Sequence, residues 1–232
     1  MAGDLKHPVV LDFFGLPGCG KSTVSHMLAD KLRESGYKVY EPSYDLDHNF
    51  SSFMRKIFKL EQYIRYSVFH PAKSKRISDL VKDNGYVAFA EKLSQCINIT
   101  TKLTAIKNAK CDYIIFDEGL LQAAISLSFG TGDQHEVTSN YNKILSVDGS
   151  QLEVKSVYMQ IGTETVLRRL EQRGERNSRV DKETDSEKRK QIIESFQSLC
   201  ESVTKCCAIK VNAEISRTEA VTELMESLYN GV

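Results

Sequence analysis

Between positions 15 and 22 the chain reads Gly15-Leu16-Pro17-Gly18-Cys19-Gly20-Lys21-Ser22, which fits G-x-x-x-x-G-K-[ST]. An apolar run, Val9 to Phe14, precedes it, and Val24, Met27, Leu28 and Leu32 follow at helical spacing. A strand, a glycine-rich turn and a helix in that order form a cradle for phosphates. Gly15, Gly18 and Gly20 let backbone N–H groups close around anionic oxygens, and the helix N-terminus adds its unpaired donors and dipole. In that arrangement Pro17, Cys19 and Thr23 complete the wall of the cradle, Lys21 reaches the β- and γ-phosphates, and the Ser22 hydroxyl ligates Mg²⁺. The expected ligand is a nucleoside triphosphate, ATP, bound with Mg²⁺. A chance Gly-rich turn would not bring a strand before it and a helix after it.

The 232 residues, 41% of them hydrophobic, suffice for one large α/β domain with an inserted subdomain. Thirty-one basic residues balance thirty-one acidic ones, so net electrostatics favours neither a nucleic-acid polymer nor an anionic membrane as partner. The six cysteines, Cys19, Cys96, Cys111, Cys200, Cys206 and Cys207, show no metal-binding or C-x-x-C spacing and read as reduced thiols. No signal-peptide pattern opens the chain, and no apolar run approaches the roughly 20 residues that span a bilayer. The expectation is a soluble, cytoplasmic protein, compatible with a homodimer but not requiring one.

Further strands are expected at Tyr37–Tyr40, Tyr113–Phe116, Lys155–Ile161 and Ala208–Val211. Between the second and third lies a polar, largely helical block, broken at His70-Pro71 and Asn84-Gly85. Leu120–Phe129 reads as an apolar helix, and Gly130–Gly149 as a loop around one short helix. Thr163 is placed as the cap of a helix running to Arg173, a long amphipathic helix carries Ile192 to Val203, and Val221, Leu224 and Leu228 stripe the last. Alternating strands and helices imply a three-layer α/β/α domain on a parallel sheet. It forms a single unit, residues 1–232, with core segments 8–45, 111–130 and 154–232. Residues 46–110 form a helical acceptor-side insertion, and residues 173–185 an arginine-rich lid.

Two further groups of residues suit phosphoryl chemistry. Asp117 ends a buried strand, where a carboxylate holds Mg²⁺ beside Ser22, and Glu118 can polarise a nucleophile; both also fit the plain role of acidic residues at a helix start. Arg169, Arg173 and Arg176 share a helical face, with Arg179 just beyond, and planar guanidiniums match the charge that develops on transferred phosphoryl oxygens. The interleaved Glu171, Glu175 and Asp181 also fit an ordinary solvated face.

Taken together, Phe13-Phe14-Gly15 through Lys21-Ser22-Thr23, the Glu41-Pro42 pair and Leu167 through Asp181 resemble the nucleoside monophosphate kinase group of phosphate-loop proteins, most nearly its thymidylate kinase and deoxynucleoside kinase branch. The resemblance covers about two-thirds of the chain and implies the strand order 2-3-1-4-5. It also implies that Arg169 flanks adenine, that Arg173 and Arg179 touch the phosphates in transit, and that the turn at Asn212-Ala213-Glu214 offers backbone groups to the base, placing Ala213 in the nucleotide site. In deoxynucleoside kinases the Glu of the E-P pair is the base, which marks Glu41 here. Two positions depart from the thymidylate kinase pattern. Tyr40 and Glu118 stand where those enzymes carry arginines aimed at an acceptor phosphate, which weakens the case for an acceptor already phosphorylated. The E-R-S element of the deoxynucleoside kinases is missing as well. Arg55, Arg65 and Arg76 are candidate acceptor contacts.

The reading that follows is a kinase passing the γ-phosphoryl of Mg-ATP to a small-molecule acceptor, a nucleoside or nucleotide, with Lys21, Arg173 and Arg179 on the phosphates and Glu118 or Glu41 as base. A nucleotide-driven switch or hydrolase is the alternative, although nothing resembling N-K-x-D follows the loop. An ATP-binding module without transfer activity is a third.

Overall fold

The computed structural model describes residues 8–129, 134–147, 152–172, 180, 183–204 and 208–230. Five parallel strands, β1 (Val9–Gly15), β2 (Val39–Tyr40), β3 (Tyr113–Phe116), β4 (Glu153–Gln160) and β5 (Ala208–Asn212), lie in the order β2-β3-β1-β4-β5. Val9 pairs with both Tyr113 and Glu153, and Gly15 with Met159, so β1 runs through the centre of the sheet. The order is the one expected, and the parallel pairing follows from the helical crossovers between strands.

Successive β1 side chains point to opposite faces. Val9, Leu11 and Phe13 pack with Val24, Leu28 and Leu32 of α1 (Lys21–Glu34) and with Val221 and Leu224 of α10 (Arg217–Tyr229). Val10 and Phe14 join Leu103 of α5 (Phe89–Asn108), Ile125 of α6 (Leu120–Ser128), Val137 of α7 (Gln134–Ser146) and Leu199 of α9 (Ser186–Thr204). Both faces are covered, which is why the strands read as nearly unbroken apolar runs.

Helix boundaries have local causes. Pro42 and Pro71 occupy the first turns of α2 (Pro42–Asn49) and α4 (Pro71–Asp83), where no backbone N–H is needed. Ser51 caps α3 (Ser52–Phe69), its side chain accepting from Met54 N. Ser216 and Glu219 form a reciprocal capping box at α10.

Several boundaries differ from the sequence reading. The second strand shrinks to Val39–Tyr40. The stretch expected to be mostly loop is largely α7, a 13-residue helix that buries Val137, Asn140 and Ile144. Gly162, not Thr163, precedes α8 (Thr163–Glu171), and the Thr163 hydroxyl donates to Gln197 Oε1 at 2.8 Å instead of capping its own helix. Arg173, where that helix was expected to end, lies outside the described residues, as do Arg176, Arg179 and Cys206-Cys207.

Candidate active site

The C-terminal ends of β1, β3, β4 and β5 carry the loop, Asp117, Ile161 and Ala213, so the topology gathers these segments at one edge of the sheet. Gly15 is held at φ 143°, and a Cβ there would lie 2.8 Å from Met159 O, so the start of the loop admits no side chain. Its N–H donates to Gln122 Oε1 at 3.0 Å, which anchors the loop to α6.

Lys21 is buried, and its ammonium donates to Gly15 O and Leu16 O at 3.0 Å each. Burial pulls its pKa down, but the surrounding Cys19, Glu118 and Asp117 outweigh this and leave it raised, so the group stays cationic at neutral pH. Ser22 Oγ donates to Asp117 Oδ2 at 2.7 Å. This pair joins the start of α1 to the end of β3 through two hard oxygen donors, a set that suits Mg²⁺ when phosphate and water oxygens complete the shell. The donor set therefore fits the ion. Among the described residues no group of three or more His, Cys, Asp or Glu forms a protein-only cation cage.

On one side of the loop lies a cavity of about 400 Å³ lined by Gly18, Gly20, Arg169, Ala213 and Arg217. Arg169 spans it, donating to Ala213 O at 3.0 Å and to Cys19 O at 3.4 Å. The sequence reading placed Arg169 and Ala213 together, and the structure brings them into direct contact at the loop.

On the other side lies a cavity of about 210 Å³, lined by Pro17, Glu118 and Gly119, the α5 side chains Gln95, Asn98 and Lys102, and Phe129 and Phe196. Glu118 Oε1 lies 4.0 Å from Lys21 Nζ, so this exposed carboxylate belongs both to the loop and to the second cavity. Gln95 Oε1 is buried and takes no hydrogen bond among the described residues. Lys102 contacts the Asn98 side chain, and burial lowers its pKa to about 8.

Glu41 stands elsewhere. Its carboxylate accepts from His26 Nδ1 at 3.2 Å and from Arg33 at 2.8 Å, and His26 stacks on Tyr44 with ring centroids 3.7 Å apart. Burial raises its pKa despite these partners. Arg55 pairs with Asp47, Arg65 lines a separate cavity with Phe58 and His70, and Tyr40 lines another at the β2 edge.

Four participants escaped the sequence reading: Asp12, Gln95, Lys102 and Gln122. Asp12 alone left a trace, as a lone carboxylate inside an apolar strand. It is wholly buried, accepts from Leu121 N at 2.9 Å, and so caps α6 from β1. A Cβ on Gly119 would fall 1.9 Å from Asp12 Oδ1, so glycine is required where Asp117 and Glu118 hand over to α6.

No family model matches the chain, and no curated protein matches it in sequence. Solved structures do. Deoxyadenosine kinase from M. mycoides with bound dATP aligns over 95% of this chain and 99% of its own, at TM-score 0.54 and 20% identity. The same enzyme with bound dCTP aligns over 95% and 99%, at TM-score 0.54 and 21% identity. With dCMP and a flexible dCDP it aligns over 95% and 98%, at TM-score 0.50 and 19% identity. This chain thus shares its fold, nearly end to end, with that deoxyadenosine kinase.

Proposed function

We propose that the protein is a Mg-ATP-dependent kinase whose acceptor is a nucleoside. One observation carries the reading: Glu118 stands between the buried Lys21 and a cavity furnished with the amides of Gln95, Asn98 and Gln122. A donor nucleotide would place its base against Arg169 and Ala213 and its phosphates in the loop. An acceptor in the opposite cavity would then approach the γ-phosphoryl from the far side, as in-line displacement requires. Amide side chains suit the mixed donors and acceptors of a nucleobase edge, and Phe129 and Phe196 suit its faces. The solved neighbours, deoxyadenosine kinases holding deoxynucleotides, support the same class.

The residues divide the work as follows. Loop amides and Lys21 hold and neutralise the phosphates, while Ser22 and Asp117 would hold Mg²⁺, which offsets charge on the phosphoryl oxygens. Glu118 accepts the proton of the attacking hydroxyl. Glu41, engaged by His26 and Arg33, is the alternative base. Arg173 and Arg179 remain assigned to the phosphates by resemblance alone.

The test is ADP release measured with ATP and a panel of nucleosides, nucleoside monophosphates and sugars. Stimulation by one or more nucleosides, lost in Lys21→Ala by a factor on the order of 10²–10³, is expected. ADP release that no acceptor stimulates would instead favour a hydrolase or switch.

A further inference from the structure

A cavity of about 660 Å³ opens at the β2 edge of the sheet, between α3 and the C-terminal end of α5, and no residue of the phosphate loop lines it. Its size suits a small molecule. Its walls carry three cations, Arg33, Lys38 and Lys110, and no carboxylate, in a chain whose charges balance at 31 to 31. The local excess is therefore a matter of placement, not composition. Asp112, next in sequence to the lining Cys111, accepts from the Lys38 backbone N–H at 2.7 Å, and among the described residues neither lysine side chain forms an ion pair. Thr104 adds a second sign. In α5 the hydroxyls of Thr100 and Thr101 donate to carbonyls one turn back, Cys96 O and Ile97 O, at 2.7 and 2.8 Å, the usual outlet for a threonine inside a helix. Thr104 lines this cavity instead, and its buried Oγ1 has no hydrogen-bond partner among the described residues. Such a hydroxyl is costly to leave unpaired, and a ligand oxygen in the cavity would relieve it.

We propose that this cavity is a further nucleotide site, one that takes a nucleoside monophosphate and is separate from the donor and acceptor cavities. The guanidinium fork of Arg33 and the ammonium groups of Lys38 and Lys110 match a phosphate dianion. Tyr37 and Tyr40 offer ring surface to a base, and the amides of Gln62 and Asn108, each both donor and acceptor, suit its edge. A bare phosphate would use the cations and leave the rings and amides without a role. The cavity also shares one side chain with a candidate base. Arg33 Nη2 lies 2.8 Å from Glu41 Oε2, and β2 runs directly into Glu41. A phosphate in the cavity and the Glu41 carboxylate therefore compete for one guanidinium, and the competition is reciprocal. Binding itself depends on no step of the transfer reaction.

Cys111 lines the cavity and is half-buried, whereas Cys19, Cys96 and Cys200 are buried, so its alkylation reports occupancy at this place. The full chain is treated with iodoacetamide at alkaline pH and the modified peptides are mapped by mass spectrometry. At ten times its dissociation constant, AMP should slow the labelling of Cys111 roughly tenfold, and this protection should survive Lys21→Ala, which disables the loop. Lys38→Ala with Lys110→Ala, both at exposed positions, should leave the far-ultraviolet circular dichroism unchanged and raise the AMP concentration required by roughly tenfold or more, because two charge-assisted contacts are lost. Glu41→Gln removes the competing charge and should lower that concentration by about fivefold or more. None of these readouts depends on ADP release. Labelling indifferent to AMP, protection lost in Lys21→Ala, equal protection by adenosine or by inorganic phosphate, or an unchanged AMP requirement in the double lysine variant would each overturn the site, and an unchanged requirement in Glu41→Gln would overturn its link to Glu41.

Discussion

The two candidate bases stand in different settings. Glu118 is exposed, 4.0 Å from Lys21, and stands at the mouth of the second cavity, whereas Glu41 is buried and engaged by Arg33 and by the His26 ring. Glu118→Gln should therefore lower kcat by roughly 10²–10⁴-fold, the usual contribution of a positioned base, and Glu41→Gln by much less. Steady-state kinetics at saturating ATP distinguishes them, and the reverse ranking would move the base to Glu41. Asp12 poses a different problem, a carboxyl sealed in the core whose Oδ1 has no hydrogen-bond partner among the described residues, with Lys102 and Tyr141 as ionisable neighbours. Burial raises its pKa to about 7. As pH rises from about 4, the unfolded chain releases this proton before the folded one does, so the folded state holds more protons and loses stability up to about pH 7. Asp12→Asn removes that slope. Urea unfolding of the two proteins between pH 4 and 7 should show their difference in stability changing with pH, and parallel profiles would contradict the assignment.

At the scale of elements, a small polar network holds the helical insertion to α6 and α7, the helices that follow β3. Asn140 Nδ2 donates to Asn84 Oδ1 at 2.6 Å and to Ser128 Oγ at 2.9 Å, and Asn84 Nδ2 donates to Leu80 O, tying α7 to the ends of α4 and α6. All three side chains are buried, so Asn140→Leu, which takes away the amide that donates to Asn84 Oδ1 and to Ser128 Oγ and accepts from Asn84 Nδ2, should cost roughly 1–3 kcal/mol, read as a lower urea midpoint. This network also shows where the sequence stopped being legible. Strands β1 and β3, the loop and Asp117 could be read because apolar runs and glycine spacing are local signals. Asn140 looked like loop composition, because its partners lie 12 and 56 positions away. Thr163 looked like a cap until Gln197, from another helix, claimed its hydroxyl. Family likeness sets Arg169 and Ala213 beside the same nucleotide, but the hydrogen bond between them, across 44 positions, leaves no trace in periodicity. Gln95 and Lys102 lay hidden for the same reason, since a cavity wall is made by packing and leaves no pattern in one helix.

For the molecule as a whole, the loop divides two cavities of different chemistry, and the division can be tested by ligand-linked stability. Among the described residues the Arg169–Ala213 cavity and the Gln95–Lys102 cavity have no lining residue in common; the loop meets the first through Gly18, Cys19 and Gly20 and the second through Pro17. Donor and acceptor should therefore stabilise the fold in separable increments. A non-hydrolysable ATP analogue at 100 times its Kd adds about 2.7 kcal/mol, which for a chain of this size raises Tm by roughly 5–10 °C. A nucleoside that stimulates ADP release should add a second increment in the presence of the analogue. Gln95→Leu removes the amide whose buried oxygen has no partner among the described residues, so it should suppress the second increment and leave the first intact. Arg169→Ala should do the opposite, because its guanidinium spans only the donor side. If both substitutions weakened both increments alike, the two cavities would have to be parts of one site, and the assignment of donor and acceptor to opposite sides of the loop would be wrong.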